Sequence, residues 1–164
     1  MPDLISHMAS AYIFRNLFAK LEIIRKPFFY MFVFGVFLPD FISRGALVVF
    51  PDFFFIVQYF HTPFACFFQT LIVSSFFVKE QRCRIFLAIT LGWILHDVFD
   101  AAQILIGGGY YYFFWPVYSQ SVTMNLFWPH DWPYVAISAL TLAWLTTGSF
   151  FTRVLKWSRF SRTR

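Results

Sequence analysis

Residues 85–106 read IFLAITLGWILHDVFDAAQILI, an apolar run that carries His96, Asp97 and Asp100 and no lysine or arginine. Its length approaches the roughly 20 residues a helix needs to cross hydrocarbon. Ionisable side chains in such a run are costly unless they are protonated, paired or bound to a cation. His96 and Asp100 stand one helical turn apart on one face. The run therefore predicts a membrane helix with chemistry on one side.

Composition extends that reading to the whole chain. Of 164 residues, 59% are apolar, 26 are phenylalanine and only 13% are charged. A soluble domain of this size has too much surface to hide that much apolar area. The length fits a single membrane-embedded helical domain over residues 1–164, with a basic tail from about residue 153. The net charge of +5 is spread in short basic groups beside apolar runs. That pattern suits anionic lipid headgroups and argues against nucleic acid as a partner. Cys66 and Cys83 form no metal or disulfide motif. Asp3 and His7 precede the first basic residue, Arg15, the reverse of a cleavable signal peptide.

Four segments are apolar enough to enter a bilayer: Phe28–Leu38, Phe64–Val78, Ile85–Ile106 and Tyr134–Phe151. A fifth helix, about Leu4–Leu21, is amphipathic. The expected fold is thus all-α, a polytopic bundle of about four spans plus this N-terminal helix. Of the 13 basic residues, Arg15, Lys20, Arg25 and Lys26 form one group and Lys79, Arg82 and Arg84 a second. Arg153, Lys156, Arg159, Arg162 and Arg164 form a third, and only Arg44 falls elsewhere. Three cytoplasmic basic groups obey the positive-inside rule and predict the inner membrane of a cell. The connections 39–63 and 107–133 then fall on the far side, the second as an aromatic belt over the bundle's outer mouth.

Counting from the basic anchors gives depth. Asp40 is 14 residues past Lys26, His96 is 12 past Arg84, and His7 is 13 before Lys20. At about 1.5 Å per residue, all three lie roughly 18–21 Å from the basic plane. His61 precedes Thr62-Pro63, a helix start, and points into the same outer half. His7, Asp40, His61, His96 and Asp100 are therefore the candidate ligands of a divalent ion, Zn²⁺ first, with Mn²⁺ or Fe²⁺ as alternatives. Asp97 is the candidate general base, and Arg44 the candidate phosphate-orienting cation. Each has a plainer reading. His7 alone fits an interfacial histidine, Asp40 and His61 fit helix caps, and Asp52, His130 and Asp131 fit the interface.

The ordered set resembles the membrane-bound metal-dependent hydrolase family of the bacterial inner-membrane YdjM type. His7, Leu38-Pro39-Asp40, His61-Thr62-Pro63, Gly92 through His96 to Asp100, Gly107–Gly109 and Trp115-Pro116 follow that family's motifs in order, over roughly residues 1–116. The resemblance implies a metal site and hydrolysis. Ile42 stands where the family has a second aspartate, and Ile56-Val57 where it has His-Arg. Those losses leave either a single-metal site or a homologue that binds metal without turnover.

The leading expectation is a membrane-embedded, metal-dependent hydrolase of a lipid-borne phosphoester or related ester. The alternative is a non-catalytic membrane protein whose His/Asp cluster serves a proton or solute path, or assembly. A lipid-phosphate phosphatase would need a Pro-Ser-Gly-His element that this chain lacks.

Overall fold

The computed structural model describes residues 4–53, 56, 58–104 and 112–147. The glycine run Gly107–Gly109, the basic tail 153–164, and the ends of the expected spans at 105–106 and 148–151 lie outside these residues.

Among the described residues the chain is all-helical, with one isolated β-bridge and no strand. In order the helices are α1 Leu4–Leu17, α2 Phe28–Val49, α3 Pro63–Ser75, α4 Lys79–Ala101 and α5 Trp132–Thr146. Short 3₁₀ turns occupy Glu22–Ile24, Pro51–Phe53, Gln58–His61 and Pro129–Asp131. The N-terminal helix ends four residues earlier than expected, at Leu17, and hands over to the Glu22–Ile24 turn.

The largest departure concerns α2. The sequence placed Asp40 in a connection beginning at Pro39, yet the helix continues through Pro39 to Val49. Proline removes only its own N–H from the ladder. Ser43 sits one turn on and donates its hydroxyl to the Pro39 carbonyl at 2.8 Å. Asp40 is therefore a buried mid-helix residue and caps nothing. With 22 residues, α2 is the one described helix both long and apolar enough to cross a bilayer. The α4 helix has 23 residues, but charged residues fill its first two turns, and α3 and α5 are shorter.

The core is the α2–α4 pair. A Cβ added to Gly35 would collide with the backbone of Ile89, and one added to Gly92 with the backbone of Phe32 and Val36. The two helices thus touch backbone to backbone, with Phe32, Val36, Ala88 and Ile89 buried around the contact. They run parallel: Arg84 lies 5.9 Å from the Phe28 ring at one end, and Asp40 meets His96 at the other. The intervals from Phe28 to Asp40 and from Arg84 to His96 are equal, so the outer groups arrive level. The α1 helix runs the opposite way, with Arg15 4.7 Å from the Phe29 ring and His7 stacked on His96. The α5 helix packs along α1, where Asn16 donates to Thr146 at 3.2 Å.

Many apolar side chains face outward. On α3, Phe64, Phe67, Phe68, Leu71 and Ile72 are all exposed, as is Phe76 just past its end, and on α2 Phe41 and Val48 are too. A contiguous apolar exterior of this kind suits lipid.

Candidate metal centre

Four elements deliver one residue or more to the outer end of the bundle. The α1 helix brings His7, α2 brings Asp40, the Gln58–His61 turn brings His61, and α4 brings His96 and Asp100. Local chemistry fixes His61: Thr62 caps α3 by accepting from the Ala65 N–H at 3.2 Å, and its hydroxyl donates to the Tyr59 carbonyl at 2.8 Å. Gln69 adds a bond to the Phe60 carbonyl at 3.1 Å. Tyr59 in turn packs against Tyr112 and Trp115, so the described part of the expected aromatic belt lies over this turn.

All five candidate ligands converge. His61 Nε2 hydrogen-bonds Asp40 Oδ1 at 3.1 Å. His96 Nε2 lies 3.3 Å from Asp100 Oδ2, and His7 Nε2 lies 3.6 Å from Asp100 Oδ1. The His7 and His96 rings stack with centroids 4.2 Å apart. Two overlapping triads, His7–Asp40–His96 and His61–His96–Asp100, each keep their ligating atoms within 4.8 Å of one another. An ion bonded to nitrogen and oxygen at about 2.0–2.1 Å sets tetrahedral neighbours roughly 3.3–3.4 Å apart. Within the second triad, the 3.3 Å from His96 Nε2 to Asp100 Oδ2 matches that edge.

The polar atoms need such a partner. His7, His96 and Asp100 are essentially fully buried, yet both nitrogens of each imidazole and both oxygens of the carboxylate lack any hydrogen-bond partner among the described residues. The contacts to Asp100 are close, but they lack hydrogen-bond geometry. Each buried group left unpaired costs about 1–3 kcal/mol, which a shared cation removes. Burial also holds the His7 imidazole below its ordinary value, hence neutral, the form that ligates a metal. These buried His and Asp groups could hold a divalent ion.

The two remaining candidates sit apart from that cluster. Asp97 is buried on α4 with one oxygen unpartnered, and it belongs to neither triad. Arg44 stands one turn beyond Asp40 with Nε 3.6 Å from Oδ1, its side chain 57% exposed. It is the mouth's cation, not the floor's. Asp52, His130 and Asp131 take no part in either triad, and His130 and Asp131 pair with each other at 3.8 Å.

Sequence reasoning missed Gly35, where the backbone of α2 meets Ile89 of α4. No protein-family model, curated protein or solved structure matches this chain.

Proposed function

We propose that this is a multi-pass membrane protein that holds one divalent ion near its outer face and hydrolyses an ester, with a lipid-borne phosphoester as the preferred substrate. One observation carries the reading: five nitrogen- and oxygen-bearing side chains from four elements meet in one cluster, where the polar atoms of buried His7, His96 and Asp100 lack hydrogen-bond partners among the described residues. No lysine or arginine lies between residues 85 and 152 to balance buried Asp97 and Asp100, and Arg44 approaches Asp40 alone of the three buried aspartates. The ordered motifs shared with the YdjM-type membrane hydrolases support the same reading.

His7, Asp40, His61, His96 and Asp100 form the ligand pool, and Zn²⁺ is the first candidate, before Mn²⁺ and Fe²⁺. When bound, such an ion acidifies water and polarises a phosphoryl oxygen. Arg44 at the mouth orients the anionic ester by its guanidinium. Asp97, beside His96 but outside the cluster, takes up the proton. Five groups exceed the three protein ligands usual for a hydrolytic zinc site, so one or two must stay off the ion or give way to substrate.

Turnover of a p-nitrophenyl phosphoester by protein purified in detergent tests this reading. It should be abolished by a chelator, restored by one equivalent of Zn²⁺ or Mn²⁺, and lost in His96→Ala. Bound metal without turnover on any ester would overturn the hydrolase assignment. The non-catalytic alternative draws on the His61–Asp40 hydrogen bond, which is satisfied with no ion. Such a path predicts protein that leaves detergent purification free of stoichiometric metal.

The proposed topology has α2, α3, α4 and α5 crossing outward, inward, outward and inward, basic groups inside. Cys83 is exposed at the basic end and Cys66 is buried. A membrane-impermeant maleimide should therefore spare intact cells and label Cys83 in inverted vesicles. Labelling of intact cells would reverse the orientation.

A further inference from the structure

His61 and Asp40 differ from the other candidate ligands in being satisfied already. His61 Nε2 lies 3.1 Å from Asp40 Oδ1 in hydrogen-bond geometry. Neither nitrogen of His7 or His96 and neither oxygen of Asp100 has such a partner among the described residues. Arg44 Nε stands 3.6 Å from the same Asp40 oxygen, so that carboxylate has an imidazole and a guanidinium beside it.

The pairing fixes the His61 ring. An ionised carboxylate only accepts hydrogen bonds, so the ring proton sits on Nε2 and the lone pair stays on Nδ1. The backbone of this turn is held from the other side, where Gln69 Nε2 and Cys66 Sγ donate to the Phe60 carbonyl at 3.1 and 3.7 Å. With the turn tied to α3, ring rotation is the freedom left to His61, and Asp40 removes it.

Resting on the metal reading, we propose that Asp40 is a positioning residue and not a ligand: its carboxylate aims His61 so that Nδ1 binds the ion. The ion then belongs to the His61–His96–Asp100 triad, whose ligating atoms lie within 4.8 Å of one another. That triad supplies the three protein ligands of a hydrolytic zinc site and leaves the fourth position to water or substrate. Asp40 and His7, which stands 3.6 Å from Asp100 Oδ1, are the two groups that stay off the ion. A carboxylate that accepts from the far nitrogen of a ligating imidazole sets its tautomer and raises its basicity, and its removal weakens metal binding roughly 10- to 100-fold.

The test is nuclear magnetic resonance of protein isotope-labelled at the histidine ring nitrogens, in detergent, with and without Zn²⁺, and with Zn²⁺ affinity measured on the same samples. In the wild type, Zn²⁺ should shift the Nδ1 signal of His61 and leave the proton on Nε2, with His61→Gln identifying both signals by their loss. Asp40→Asn keeps an oxygen that accepts from Nε2–H, so affinity should fall by only about 10-fold, whereas Asp40→Leu should lose nearer 100-fold. Zn²⁺ on His61 Nε2, no Zn²⁺ on His61, or a loss in Asp40→Asn as large as in Asp40→Leu would each overturn the inference. If the Asp40 variants fail to fold, the wild-type spectrum decides alone. Wild-type protein that takes up no Zn²⁺ defeats the metal reading and this inference with it. Zn²⁺ on Nδ1 without ester turnover defeats the hydrolase reading alone.

Discussion

The two ends of the α2–α4 pair use similar residue types in opposite ways. At the inner end, Arg84 and Glu22 approach to 4.0 Å with side chains 59% and 75% exposed, and Arg84 also leans on the Phe28 ring. At the outer end, a full interval along both helices, His96 and Asp100 are buried with their polar atoms unsatisfied among the described residues, beside a buried Asp40 that bonds His61. Charges kept at the surface remain solvated and need nothing more. Charges buried without a compensating cation need a ligand. One end thus keeps its charges in water, and the other buries them in a candidate site.

Breaking the outer end should have the largest effect. Asp100→Asn leaves the shape but replaces a carboxylate near both His7 and His96, and metal affinity should fall by roughly 100-fold or more, measured by competition with a chromogenic chelator. That exceeds the 10- to 100-fold typical of groups that only support a ligand. Unchanged affinity would show that Asp100 is a structural acid. Next comes the junction between the ends. Gly92→Ala drives a methyl into the backbone of α2, where nothing flexible can yield. Forced overpacking of this kind costs about 1–3 kcal/mol, read as a lower melting temperature, and should weaken metal binding as Asp40 and His96 separate. The inner end should matter least. Arg84→Ala removes an exposed pair and a distant ring contact, so the stability change should stay below about 1 kcal/mol, with metal binding intact. A large loss there would erase the contrast between the ends.

Much of the site was legible in the sequence because depth can be counted. Helical rise converts residue number into height above the basic groups, so the sequence alone puts His7, Asp40 and His96 at one level. The i,i+4 spacing put Asp100 with them. The helix through Pro39 was not legible. Proline lowers the expectation of a helix locally, whereas its continuation depends on packing of α2 against α4. Nor was the Gly35–Ile89 contact, which exists only once two distant helices meet. Asp97 follows His96 in sequence, and because neighbouring positions on a helix point about 100° apart it lies outside both triads.

The claim that the buried imidazoles and carboxylates of four elements share one cation is tested most directly by elemental analysis of the protein purified in detergent, beside His96→Ala. One equivalent of a divalent transition metal in the wild type, and close to none in His96→Ala at matched folding, is the predicted result. Equal metal in the two proteins, or none in either, would contradict it.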